Sequence, residues 1–160
     1  DLVISEKLAS IIVLTDKGIL YRIDGNTLER LSSKLGTEGA LGKISDNASS
    51  IAISNKNGIT LFSNEPTTTT LRSQIQTTNV SSLAFSPGAD TLYATSSNIV
   101  SQHNCSTGAL LQSASIAASI ISSLQSSQSG NYLLAGDTTG TTFLISTAKF
   151  HTSRDFSTTL

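Results

Sequence analysis

Few residues in this chain are suited to chemistry, and two of them, His103 and Cys105, stand two positions apart. On a strand, such positions share a face, so the pair has the makings of a small metal or thiolate site. A zinc site needs further ligands at short, paired spacings. The other histidine, His151, has no such spacing to either residue. An ordinary strand end with a packed thiol is the better reading of the pair. Asp16, Asp24, Asp46, Asp90 and Asp137 fall mostly at turns or strand ends, where Asp bonds its own backbone and stabilises the turn. The competing reading is a set of carboxylates lining the mouth of a channel. Gly136–Thr142 is glycine-rich but lacks the Lys and the following helix of a phosphate loop, so it reads as a hairpin turn. These residues predict no catalytic site, no cofactor and no metal.

What must position these residues is a repeat of about forty residues. Apolar stretches begin at Ile11, Ile51, Leu92 and Leu133, at separations of 40, 41 and 41. Each is followed by a polar turn, Thr15–Gly18, Asn55–Gly58, Ser96–Asn98 or Asp137–Gly140, and then by a second extended stretch. A period of about 40–45 residues with several strands per unit marks a β-propeller. The units run 1–40, 41–79, 80–120 and 121–160.

Two copies align closely. Val80-Ser81-Ser82-Leu83 leads through Pro87-Gly88 to Leu92-Tyr93-Ala94, and Ile121-Ser122-Ser123-Leu124 leads through Ser129-Gly130 to Leu133-Leu134-Ala135. The strands predicted are 2–5, 11–15, 19–23 and 28–31; 41–45, 51–54, 59–62 and 70–75; 80–85, 92–95, 99–103 and 110–115; then 121–126, 132–135, 142–146 and a last one around Phe150. Ile116, Ile120 and Leu124 are four apart and would also suit one face of a short helix, but the match to Val80–Phe85 favours a strand.

Phe85-Ser86-Pro87-Gly88 followed by Leu92-Tyr93-Ala94-Thr95 resembles the first two strands of a WD40 blade. Thr107-Gly108-Ala109-Leu110-Leu111 resembles the stretch between the third and fourth strands of such a blade. The resemblance is clearest from Val80 to Ile145 and weaker from Leu8 to Leu71. The chain has no Trp, hence no Trp-Asp ending, and no Gly-His pair. The polar network those residues build in the family is therefore absent or replaced. The resemblance implies a scaffold in a multi-protein assembly, with contacts on the narrow top face. The matching loops carry Lys17, Asn57, Asn98 and Asp137 in the hairpins, and Thr78 and Asn79 before the third repeat. Among such assemblies the resemblance favours a nuclear or nucleolar one, of the ribosome-assembly type.

Composition agrees with an all-β chain. Ser and Thr make up about three residues in ten. Charged residues are only 13 %, against about 25 % in typical domains. With 38 % apolar residues and a net charge of −1, the chain lacks the high charge of a disordered one. Ten basic residues form no run and aromatics are 5 %, which argues against direct nucleic-acid contact. No run reaches the roughly 18 apolar residues that span a bilayer. The single cysteine leans toward a reducing, intracellular compartment, nuclear or cytoplasmic. The Asn-x-Ser sequons at Asn47, Asn79 and Asn104 match chance in so Ser-rich a chain.

Four repeats lie at the bottom of the range of about 4–8 blades in closed propellers. The expectation is an all-β chain of about four four-stranded blades, an open part of a larger propeller of about seven. The missing blades come from elsewhere in the same propeller or from other protein subunits. Two rival functions stand beside the scaffold: an enzyme or small-ligand binder using the central channel, and a segment that only completes a ring.

Overall fold

A computed structural model of the chain describes residues 1–5, 9–35 and 41–156, the last six by their backbone alone. The unit ends predicted at 40 and 160 lie outside the described residues. All regular structure described is β. The first sheet is β1 (Leu2–Ser5), β2 (Ser10–Leu14), β3 (Ile19–Asp24) and β4 (Arg30–Lys34). The second is β5 (Leu41–Ile44), β6 (Ser50–Asn55), β7 (Gly58–Asn64) and β8 (Thr69–Ile75). The third is β9 (Val80–Phe85), β10 (Thr91–Ser96), β11 (Ile99–Asn104) and β12 (Leu110–Ser115). The fourth is β13 (Ile121–Ser126), β14 (Tyr132–Asp137), β15 (Thr142–Ser146) and β16 (His151–Phe156).

Each sheet is an antiparallel meander with its strands in chain order. Leading strands meet at the inner edge: β5 packs on β9, and β9 on β13. These are four blades of an open β-propeller. The helical alternative for Ile116–Leu124 does not occur, because β13 pairs with β14 from Ile121 onward.

The core is three cores, one between each pair of neighbouring blades. Ile12, Leu14 and Leu20 of the first blade meet Ile44, Ile51, Ile53 and Phe62 of the second. Ala52, Leu61 and Ile75 of the second meet Leu83, Phe85 and Leu92 of the third. Ala84, Tyr93 and Val100 of the third meet Leu124, Leu133, Phe143 and Ile145 of the fourth. Strand alternation makes this possible, because odd and even positions face opposite neighbours. A blade inside the arc is therefore apolar on both faces, and β6, at Ile51-Ala52-Ile53-Ser54, is buried throughout.

Polar ties cross the same interfaces. Ser81 Oγ donates to the Ile121 carbonyl and Ser126 Oγ to the Phe85 carbonyl, both at 2.6 Å. Asp1 accepts the Ile44 amide at 2.8 Å and pairs with Lys43 at 3.5 Å. The Arg22 guanidinium reaches Asn64 Oδ1 and the Glu65 and Pro66 carbonyls. Arg72 bridges Ser50 Oγ and Ser106 Oγ.

Two kinds of turn recur. Between the first and second strands stand Ser45, Ser86 and Ser127, 41 apart. Each accepts the amide of the residue three on, and its hydroxyl accepts the amide five on. The residue three on has a positive φ: Ala48, Ala89 and Gly130. Between the third and fourth strands, the amides of Leu28, Gly108 and Phe150 bond back four residues, again at positive φ. Leu28 and Phe150, predicted as strand, are therefore turn residues, and their strands begin at Arg30 and His151. At Gly108 a side chain is also excluded by its neighbour, since a Cβ would lie 2.5 Å from the Gln74 carbonyl oxygen.

Leu133 is fully buried between the third and fourth blades. Its replacement by Ala should cost about 2–5 kcal/mol, the range for a buried Leu, read by chemical denaturation. A loss below about 1 kcal/mol would show that this interface does not carry the fold.

Candidate functional rim

In the second and third blades the hairpin between second and third strands and the loop to the next blade lie at the same end, because each sheet is an antiparallel meander of four strands. Hydrogen bonds join the two sets. The Thr138 amide donates to the Ile120 carbonyl, Ile121 to Ser97 and Ile116 to Asn98. Ser96 Oγ donates to the Thr78 carbonyl at 2.8 Å. The six candidate contact residues thus share one rim, but they divide into two groups.

Lys17, Asn57, Thr78 and Asn79 are exposed. Lys17 stands in a turn closed by the Gly18 amide on the Thr15 carbonyl. Asn57 is held by its own amide, which donates to Asn55 Oδ1 at 2.8 Å. Asn79 takes φ +55°, a left-handed conformation that Asn tolerates better than most residues.

Asn98 and Asp137 are committed inward. Asn98 Nδ2 donates to Ser115 Oγ at 2.8 Å and the Ala117 carbonyl at 3.1 Å. Asp137 is buried, with 9 % of its surface exposed. One carboxylate oxygen accepts from Ser119 Oγ at 2.7 Å. The other accepts from the Thr139 amide and hydroxyl and from the Thr141 amide. The Ser119 hydroxyl leads the Thr139 and Thr141 donors in favouring the charged form, and the pKa falls to about 2. Ser119 has no motif around it, so the sequence did not single it out. In the fourth blade this Ser119–Asp137 tie joins the inter-blade loop to the hairpin.

The aspartates do not converge on one mouth. Asp16 and Asp137 lie at the rim end. Asp24 caps the β3–β4 turn at the other end by accepting the Asn26 and Thr27 amides, and Asp90 accepts from Ser86 Oγ there. Asp46 is in the turn before β6 at that same end. That end also holds an open cleft of about 410 Å³ between the second and third blades, lined by Glu65, Arg72 and Asp90 among others.

His103 and Cys105 are both buried. His103 Nε2 meets Ser101 Oγ at 2.9 Å, and burial lowers its pKa. Cys105 packs in the core between the second and third blades, where burial pushes its thiol up to about 12. It is protonated at neutral pH, so it is a packed thiol and no nucleophile. No group of three or more His, Cys, Asp or Glu able to hold a metal occurs among the described residues.

Two titrations check these environments. The Asp137 carboxyl carbon, followed by NMR, should titrate near pH 2; the tie is present above about pH 4 and lost as pH falls through about 2. A midpoint near 3.8 would mean that the tie is not formed. Cys105 favours the neutral thiol, so its contribution is present below about pH 9 and lost as pH rises toward about 12. At pH 8 a thiol reagent should modify Cys105 only as fast as the chain unfolds; rapid labelling under native conditions would contradict its burial.

No family model and no curated protein sequence matches the chain. Among solved structures it is similar to the β-propeller domain of Cps50 (Swd1) from Myceliophteria thermophila, with a TM-score of 0.70 and 16 % identity. The match covers 86 % of this chain and 47 % of that one, so the chain spans about half the length of the propeller it resembles. Likeness at this identity carries the fold, and the fold is a β-propeller open at both ends of its four blades.

Proposed function

We propose that the chain is a non-catalytic protein–protein interaction scaffold within a larger assembly, with partners held on its rim. The observation that supports this reading most is the bracing of the rim. Hairpins and inter-blade loops hold one another through backbone and side-chain bonds, with Asp137 and Asn98 as internal struts. Beside them the Thr78 carbonyl accepts from Ser96 Oγ, and Lys17 and Asn57 stand exposed in hairpins closed by their own backbone amides. A surface already ordered before binding loses little entropy when a partner docks. Propeller architecture alone would not justify this step, because one fold serves many functions.

The rival enzyme or channel-ligand reading needs polar side chains brought together by successive blades. The aspartates are instead divided between the two ends, and the cleft at Glu65, Arg72 and Asp90 lies away from the rim. The nuclear or nucleolar setting expected from the resemblance gains nothing from these surfaces, so the proposal stops at the scaffold. The ring-completing reading expects no partner on the rim.

The test is affinity capture with the intact chain and with a Lys17→Glu, Asn57→Arg double variant. Both positions are exposed, so stability should change by less than about 0.5 kcal/mol. The scaffold reading expects specific partners to be lost from the variant at unchanged melting temperature. Retention of every partner by the variant would sink the rim and leave the ring-completing role.

A further inference from the structure

The outermost strands of the blades differ in how they are guarded. In every sheet the fourth strand lies at the edge, and an open edge invites another strand, so natural edges carry charges, Pro or bulges. β4 bears Arg30 and Lys34, and β8 bears Arg72 at its midpoint. β12, Leu110-Leu111-Gln112-Ser113-Ala114-Ser115, bears no charge and no Pro. It lies within a stretch, Thr91 to Gly136, that contains no Asp, Glu, Lys or Arg. Its blade has a neighbouring blade on each side, so this edge does not depend on what adjoins the first or the fourth.

The edge is open for pairing, since β12 is bonded to β11 alone. A register shift between Gln102 and His103 leaves Leu111 without a partner on β11, and the strand is regular from Gln112 to Ser115. The Ile116 amide bonds the Asn98 carbonyl. Inward and outward bonding alternate along an antiparallel strand. Ala114 and Gln112 therefore bond to β11, while Ser113 and Ser115 aim their N–H and C=O groups away from the sheet. Leu110, Leu111, Ser113 and Ser115 are exposed, the two leucines at 57 % and 50 %. What fits such an edge is another extended backbone.

We propose that a second copy of this chain pairs there, β12 against β12 in antiparallel, so that two third blades join edge to edge. This goes beyond the scaffold reading and does not depend on it. The side-chain pattern of the strand selects a second copy. A two-fold axis between identical strands sets one central residue opposite itself. Centred on Ser113, the pairing sets Gln112 opposite Ala114 and Leu111 opposite Ser115, large on small, and no charge meets a charge. The same pairing at the midpoint of β4 would set Arg30 opposite Lys34, and in β8 it would set Arg72 opposite Arg72. Like charges directly opposite one another destabilise a sheet. A two-fold contact uses up both edges, so association stops at two copies. An edge of six residues is small beside the roughly 1,200–2,000 Å² of a stable interface, so the pair forms and separates with concentration.

Sedimentation equilibrium on the 160-residue chain over a concentration series tests this, and the expected limiting mass is twice the chain's 16.7 kDa. Ser113→Lys and Ser113→Glu each set like charges face to face across the axis, and each should weaken the pair about fivefold or more. An equimolar mixture of the two variants sets Lys opposite Glu and should associate more tightly than either alone. Ser33→Lys on the exposed edge of β4 is the control and should leave association unchanged. Circular dichroism and the melting curve verify that every variant stays folded. A wild-type chain that is monomeric at every concentration overturns the proposal. So does self-association indifferent to both charges at position 113, which would mean that copies meet elsewhere, and so does a mixture no tighter than its components. Rim capture is scored separately, so absence of self-association with retained partners removes the strand pairing and leaves the scaffold.

Discussion

The structure depends on the burial of one sheet face against the next. A four-stranded meander of five- or six-residue strands has no interior of its own, and a lone sheet in water would expose one apolar surface on each side. Stacking removes that surface at every internal contact. At about 25 cal/mol per Å² of buried apolar area, large buried residues such as Ile12, Ile51, Leu92 and Leu133 supply most of the drive. The same principle accounts for the composition. Positions that face neither a neighbouring blade nor the inner edge are free to be polar, and there Ser and Thr satisfy the strand without a large charge; buried hydroxyls such as Ser50 and Thr95 are hydrogen-bonded.

Face-on-face packing works only if successive sheets keep a common register, and the turns maintain it. Ser45, Ser86 and Ser127 each close the turn between first and second strands with a backbone carbonyl and a hydroxyl. The positive-φ residue at the end of the turn is Ala twice and Gly once. Tight turns tolerate this where the surrounding bonds over-determine the backbone. Rows that begin 41 residues apart therefore stay aligned.

Order at the rim and open strands at the outside are consequences of the same architecture. The hairpins and inter-blade loops meet where the chain passes from one blade to the next, and their mutual hydrogen bonds order the backbone beneath the exposed side chains. The fourth strand of each blade is left at the sheet edge because the strands follow chain order. Rim and outer edge are thus distinct surfaces, one made of turns, the other of strand backbone.

Much of the fold was legible in the sequence. The 40- and 41-residue separations, the hairpin glycines and the alternating strands place most of the sixteen strands within a residue or two. Leu28 and Phe150 were not legible as turn residues, because left-handed positions are usually marked by Gly and here carry large apolar side chains. The site was less legible. The resemblance to WD40 blades brought Asp137 and Asn98 forward with Lys17, Asn57, Thr78 and Asn79, but could not separate struts from display. That division depends on Ser119, Ser115 and Ala117, which join a hairpin only when the loop folds back on it. The sequence by itself determined the repeat, the all-β class and the buried character of the strands, since these follow from local periodicity. Tertiary structure alone decided which apolar rows are covered, how far Cys105 is withdrawn from chemistry, and which rim residues face solvent, because each depends on what a neighbouring blade places opposite.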